Sequence, residues 1–479
     1  GVIRNLPALS GQTYEHKYYV DGSPFTGDVN WVKTLPPSGG TITETKENDW
    51  RTLLVGSLGA GGKGYFVLDV TNPGTVPDTQ NPGATITSNF NTASAQSLVV
   101  LDNTWHRDDV IPANKADQLA DIGYIFAPPV VDDDNAFKSA QIMQMNNGKW
   151  AAVMGNGYNS KNERPVLLIQ YLDKASNDFS LKTIVATGGA TIGANVTQNG
   201  LSSPRLVDLN SDGTPDIVYA GDLKGNLWKF DISSASDNEW GVSFNGSPLF
   251  SAVHTIGQSS TQQPITTVPI ARANDRTMKK TVAGKETTVK VGGMMVAFGT
   301  GQSLTLADRT DEAGQAFYSV LDNTLYKLVD GKIKIDTAAA TPSVVSRKSD
   351  LVEQTLTGNM VPGEGVSSKF AFYNLTNNAT DFSTKKGWFF TFPVTKERLL
   401  KNPSFYDGSN VLALFSQVPA NGSNMAEETC APAPQAEQQF FTLINIMDGV
   451  PPHPQLMDSN GDGIFNSLDK GVSRMSLPP

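Results

Sequence analysis

The residues Asp208-Leu209-Asn210-Ser211-Asp212-Gly213-Thr214-Pro215-Asp216 lead directly into Ile217-Val218-Tyr219-Ala220-Gly221. Across Asp222-Leu223-Lys224-Gly225 they continue into Asn226-Leu227-Trp228-Lys229-Phe230-Asp231. The first nine residues place oxygen-bearing side chains at positions 1, 3, 5 and 9 and a glycine at position 6. This is the front half of an oxygen-ligand Ca2+ loop, with the Thr214 carbonyl at position 7. Ca2+ is a hard cation that takes about six to eight oxygens. Asp208, Asn210, Asp212, Thr214 and Asp216 supply most of them. Without a cation, three carboxylates this close in sequence would repel one another. An apolar β-type run, a turn and an alternating strand come next. The loop is therefore expected at the mouth of a β-hairpin, with no EF-hand helix behind it.

The chain has 479 residues, enough for several ordinary domains or one large all-β assembly. Its 44 glycines and 28 prolines punctuate β-branched runs, which reads as all-β. The net charge of -10 makes a poor nucleic-acid binder and gives no attraction to anionic membranes. The single cysteine, Cys430, has no partner for an internal disulfide. Beside Glu427 and Glu428 it reads as incidental rather than catalytic. No apolar run reaches the ~18–20 residues of a membrane-spanning helix. The chain opens Gly-Val-Ile-Arg-Asn, without a starting Met or signal peptide, as expected of a fragment or a processed product.

The hairpin after residue 208 has siblings. Each starts at a proline, passes through an apolar strand ending in small residues, and closes on a bulkier strand, usually with a final Asp. The first copy is Pro24 to Asp28, Leu53 to Gly56 and Tyr65 to Asp69. The second is Pro129 to Asp132, Ala151 to Tyr158 and Leu168 to Asp173. The third contains the acidic loop. The fourth is Pro269 to Arg272, Met295 to Gly301 and Phe317 to Asp322. The fifth is Pro403 to Asp407, Val411 to Ser416 and Phe440 to Ile444. Repeated units of three or four short antiparallel strands are the mark of a β-propeller. Long insertions, at 72–118, 233–263 and 308–385, are expected to leave the blades as loops with short local strands, and loops are where binding usually resides. The segment 409–439, with Pro419, Pro432 and Pro434, reads as an ordered loop.

Several strings carry a resemblance. They are Leu54-Val-Gly-Ser-Leu-Gly-Ala-Gly-Gly-Lys-Gly64 with Leu68-Asp-Val-Thr-Asn-Pro73, Lys149-Trp-Ala-Ala-Val-Met-Gly-Asn-Gly-Tyr-Asn-Ser160, and residues 208–231. Tyr19-Val-Asp-Gly22 and Phe298-Gly-Thr-Gly301 also fit. From about Tyr14 to Ile446 the chain resembles the C-terminal domain of the PilC/PilY family of type IV pilus biogenesis factors and tip-associated adhesins. The resemblance implies a modified propeller of about seven irregular blades with long loop insertions. It implies a Ca2+ bound by Asp208, Asn210, Asp212, Asp216 and the Thr214 carbonyl. It also implies a role in pilus extension, twitching motility, host-cell adhesion and virulence. The expected partners are minor pilins and host surface ligands, with no nucleic acid. The expected location is the cell surface or pilus tip, the outer membrane or the periplasm. The family's N-terminal region is not in this sequence, and there is no Arg-Gly-Asp to support integrin binding. The expected division is a propeller over 1–446 and a C-terminal extension over 447–479.

That extension holds a second acidic loop, Asp458-Ser-Asn460-Gly-Asp462-Gly463-Ile464-Phe-Asn466-Ser-Leu-Asp469. Oxygens again fall at positions 1, 3, 5 and 9, with the Ile464 carbonyl at 7 and a carboxylate at 12, so a second Ca2+ is expected. Asp469 replaces the usual bidentate Glu and reaches less far. Asp132-Asp133-Asp134-Asn135 lacks the glycine and the alternation and reads as a solvated turn. His16, His106, His254 and His453 are dispersed and form no zinc motif. Gly56 to Gly64 joins two strands and lacks the Lys-Ser/Thr ending of a phosphate loop. No Gly-x-Ser-x-Gly elbow is present.

Two classes of function fit this pattern. The first is a non-enzymatic calcium-binding module. The alternative is a quinoprotein-dehydrogenase-like propeller enzyme, which would also use Ca2+. Its repeated Trp-docking motifs are not visible, since the seven tryptophans are scattered, and one cysteine cannot form a vicinal disulfide. The first class is the expectation, with no catalytic residue assigned.

Overall fold

The computed structural model describes residues 7, 9–10, 17–35, 45–78, 82–88, 90–104, 116–133, 135, 138–186, 198–256, 259–282, 284–360, 371–420 and 437–477. His16, His106, Asp134, Glu427, Glu428 and Cys430 lie outside them. The described chain is mostly β, and the expected repeats are sheets. Phe25–Asn30, Trp50–Ser57, Tyr65–Asp69 and Val99–Asp102 form the first, adjacent in that order. Ile142–Gln144, Trp150–Gly155, Val166–Tyr171 and Leu181–Val185 form the second. In the third, Arg205–Val207, Ile217–Gly221, Asn226–Asp231 and Gly241–Val242 follow one another, and Phe250–Ser251 also pairs with Asn226–Asp231.

The closing aspartates have a local reason. Each takes the backbone N–H two residues on, often with a hydroxyl from the same residue, and so turns the chain out of its strand. Thr71 N–H reaches Asp69 Oδ1 at 3.0 Å, and Ser233 N–H and Oγ reach Asp231 Oδ1 at 3.0 and 2.7 Å. Thr324 does the same to Asp322 at 3.0 and 2.6 Å. The strands that read as continuous apolar runs are buried throughout: every residue of Val166–Tyr171, Met294–Gly299 and Ala316–Asp322 is inside. Such strands show no alternation because both faces are covered.

The chain divides into two compact units, Gly1–Val218 with Phe230–Val242, and Tyr219–Lys229 with Ser243–Pro479. In the first, Val29, Leu53, Val55 and Val67 pack with Ala152, Met154, Val166 and Leu168. Full burial of each larger apolar side chain contributes about 1.5–3 kcal/mol. The strand end at Gly155 runs so close to the neighbouring backbone that a Cβ would lie 1.9 Å from the Ser202 carbonyl oxygen.

In the second unit Ile270–Ala273, Met294–Gly299, Ala316–Asp322 and Gly387–Thr391 lie side by side, with Val352–Gln354 parallel to the last. A seven-stranded sheet runs Leu356–Met360, Phe372–Leu375, Val472–Leu477, Gln438–Asn445, Val411–Val418, Arg398–Leu399, with Ser404–Phe405 also on Val411–Val418. The stretch 308–385 supplies four strands to these sheets, Ala316–Asp322, Val352–Gln354, Leu356–Met360 and Phe372–Leu375. The segment 447–479 contributes Val472–Leu477, which is hydrogen-bonded between Phe372–Leu375 and Gln438–Asn445. Both pairings join residues far apart in sequence, which a local pattern does not encode. The hairpin Thr277–Val282 with Lys285–Lys290 is likewise additional. Gly59–Gly61 is a short 3-10 turn between two strands, as expected of a hairpin rather than a phosphate loop.

Candidate metal centre

The loop 208–216 leaves Arg205–Val207 and enters Ile217–Gly221, at the mouth of a hairpin. Its tight path needs left-handed backbone at Ser211 (φ 60°) and Gly213 (φ 90°). Glycine adopts that region at no steric cost. The side chains of positions 1, 3 and 5 fold inward onto the loop's own amides. Gly213 N–H donates to Asp208 Oδ2 at 2.8 Å and Asp212 N–H to Asn210 Oδ1 at 3.2 Å. Thr214 N–H donates to Asp212 Oδ1 at 2.9 Å, and Asn210 Nδ2 to Asp212 Oδ2 at 2.9 Å.

The second loop repeats this frame. Gly463 N–H donates to Asp458 Oδ2 at 2.9 Å, Asp462 N–H to Asn460 Oδ1 at 3.1 Å, and Ile464 N–H to Asp462 Oδ1 at 2.7 Å. Asn460 Nδ2 donates to Asp462 Oδ2 at 2.9 Å. Left-handed backbone recurs at Gly461 and Gly463. Asn466 caps the short 3-10 turn Ser467–Asp469, and the strand Val472–Leu477 follows. Neither loop is followed by an α-helix.

The two loops close differently in sequence but alike in space. In the first, Asp216 at position 9 accepts the position-2 amide, Leu209 N–H, at 2.8 Å. In the second, Asp469 at position 12 accepts the position-2 amide, Ser459 N–H, at 2.8 Å, and the Ser459 hydroxyl at 2.8 Å. Both closing carboxylates are buried, at 1% and 0% exposure, whereas Asp212 and Asp462 are exposed.

Their electrostatics diverge. Burial, reinforced by the charges of Asp208 and Asp212, pushes the Asp216 carboxyl up to about 6, against the Leu209 amide and Asn146. Burial also acts on Asp469, but hydrogen bonds from Ser459, Asn466 and Asn460 outweigh it and hold that carboxyl below the usual range. The Thr214 hydroxyl, against slight burial, lowers Asp212. Like charge at Asp216 is relieved by a proton or by a cation.

The donor set fits Ca2+ in type, since every position offers oxygen and none offers nitrogen or sulfur as the ligating atom. The carboxylates do not converge: among the described residues, no group of three or more His, Cys, Asp or Glu side chains is gathered as a metal centre. Their oxygens are turned to the loop amides instead.

One positioning residue escaped the sequence reading. Asn146, in the turn before Trp150–Gly155, donates from Nδ2 to the carbonyls of Pro215 at 2.8 Å and Ile232 at 3.1 Å. Its Oδ1 accepts the Thr214 hydroxyl at 3.1 Å. The only sequence signal is a turn-type Asn-Asn-Gly. Asp133 and Asn135 are exposed, as expected of a solvated turn; Asp133 pairs with Arg205 at 3.1 Å, and Asp132 lies 3.7 Å from Lys138.

With this geometry in view, comparisons with known proteins are specific. The model of the PilY1 beta-propeller domain family matches residues 1–360. The chain is 32% identical over 417 residues to the type IV pilus biogenesis factor PilY1 of Pseudomonas aeruginosa strain PAK, covering 82% of this chain and 28% of that protein. It is 31% identical over 332 residues to a PilY1 homolog of Xylella fastidiosa strain Temecula1, covering 67% of this chain and 17% of that one. The crystal structure of the P. aeruginosa PilY1 C-terminal domain matches with a TM-score of 0.60 at 27% identity, covering 96% of this chain and 79% of that one. The chain thus spans less than a third of the length of these curated relatives.

Proposed function

The chain belongs to the PilY1 β-propeller family, and from that premise we propose that it is a non-enzymatic calcium-binding module serving type IV pilus biogenesis, twitching motility and host-cell adhesion. The observation that carries the metal part is the loop 208–216. Its oxygen donors stand in Ca2+-loop spacing, and its buried Asp216 is raised in pKa beside Asp208 and Asp212. Asp208, Asn210, Asp212 and Asp216 would hold the ion by side chain and Thr214 by its carbonyl. The ion would supply the positive charge that this loop lacks.

The loop 458–469 supports a second, weaker site, held by Asp458, Asn460, Asp462, the Ile464 carbonyl, Asn466 and Asp469. Calcium outside the cell is around millimolar, a range suited to the weaker modules of this ligand type. A module of that affinity would fill at the cell surface, at the pilus tip or in the periplasm. Loss of the ion leaves like charges at the hairpin mouth, a two-state element that a partner can read. Minor pilins and host surface ligands are the partner classes, taken by loops rather than by a catalytic pocket.

The test replaces Asp208 and Asp216 by alanine in the full-length protein and scores surface pili, twitching and attachment to host cells. Loss of the calcium at 208–216 with a fall in at least one of the three is expected. Wild-type behaviour in all three, with that calcium lost, would sink the calcium-gating role. A visible absorption band of a bound quinone in the purified protein would overturn the non-enzymatic reading.

A further inference from the structure

The first unit contains a cavity of about 450 Å3 that the metal reading leaves unused. It opens beside the contact of two sheets. At Gly27 a Cβ would lie 2.7 Å from Ile142 Cβ, so the strands Phe25–Asn30 and Ile142–Gln144 approach this closely only because residue 27 is glycine. Both residues line the cavity, and Gly213 of the acidic loop borders it.

Charge narrows the guest. Asp28 and Asp132 are in the wall, and so is Lys138, 3.7 Å from Asp132. Lys138 is offset by Asp132, which leaves Asp28 as the uncompensated charge; it opposes an anion, and a neutral molecule meets no such opposition. Hydrogen-bonding capacity narrows it further. Thr26 offers a donor and an acceptor, Gln144 an acceptor and the amide proton not given to the Gly148 carbonyl, and Thr52 an acceptor, which suits a guest that carries both. Asp28 is exposed and oriented: its Oδ1 accepts the Thr52 hydroxyl at 2.7 Å.

The apolar wall is Trp150, half-buried and held edge-on by Trp50 at a ring distance of 5.8 Å and 76°. Trp50 is itself 54% exposed, unusual for a ring of its size. A neutral guest with many hydroxyls and one apolar face is a pyranose, and the volume lies within the roughly 300–1,000 Å3 of small-molecule sites. We propose that this cavity binds a neutral saccharide, its apolar face against Trp150 and its hydroxyls on Asp28 and Gln144. The proposal does not rest on the metal reading.

The experiment titrates the protein with methyl pyranosides of glucose, galactose, mannose and N-acetylglucosamine. Binding is read by saturation-transfer NMR and tryptophan fluorescence, with calcium and with chelator. At least one glycoside should saturate, and Asp28→Ala should weaken it about tenfold or more, as expected for a charge-assisted hydrogen bond. Trp150→Phe should weaken it less while keeping the fold, which thermal melts of both variants verify. The proposal fails if no glycoside saturates in either condition. It also fails if the one that does is indifferent to both substitutions, or if a lysine-containing peptide binds the cavity while the glycosides do not.

Discussion

Asn146 Nδ2 holds the Pro215 carbonyl at 2.8 Å, so a turn of the second sheet carries the acidic loop of the third. The same side chain takes the Thr214 hydroxyl and the Ile232 carbonyl. Asn146→Ala is expected to cost about 1–3 kcal/mol, because partly buried polar groups lose their partner. It should also weaken calcium binding, although Asn146 is not among the proposed ligands. Melts with and without chelator, beside a calcium titration, check both. Equal values in variant and wild type would show that Asn146 does not position the loop.

Calcium removal should lower the melting temperature. A ligand that binds only the folded state at 100 times its Kd adds about 2.7 kcal/mol. Asp208→Ala and Asp216→Ala should each abolish most of that difference. Mg2+ should substitute poorly, since it demands a tighter octahedron at ~2.1 Å. Calcium titrations unchanged by either substitution would remove 208–216 as the site.

Stoichiometry separates the two loops. Calorimetry should count two calcium ions on the wild type and one on Asp462→Ala. The site that remains should be the tighter. A single site, unaffected by Asp462→Ala, would leave 458–469 as a polar turn.

The last strand is locked by a buried ion pair. Arg474 and Glu397 are fully buried, bonded at 2.6 and 2.8 Å, with Ser416 Oγ donating to the same carboxylate. Arg474 also lies 4.0 Å above the Phe440 ring. Arg474→Leu should cost about 3–5 kcal/mol by stranding the carboxylate. The double variant Glu397→Leu with Arg474→Leu should recover part of that. Denaturant unfolding of the three proteins tests it, and a double variant no better than the single would contradict the pairing argument.

The strands and acidic loops were legible in sequence because their causes are local. Apolar runs bounded by proline and glycine, closing aspartates with a hydroxyl two residues on, and oxygens at fixed offsets around a glycine all act within a dozen residues. The family strings were legible for the same reason. Sequence matching, however, aligned Asp216 with Asn466, both at position 9. The folded chain shows that Asp216 and Asp469 do the same work, each capturing the amide of position 2. That equivalence depends on how each loop closes in space. The grip of Asn146 on Pro215, 69 residues away, and of Glu397 on Arg474, 77 residues away, depends on which strands become neighbours. The return of Val472–Leu477 into its sheet has the same origin. A local pattern specifies that a strand forms and which face is apolar, but its partner is chosen by burial across the whole unit.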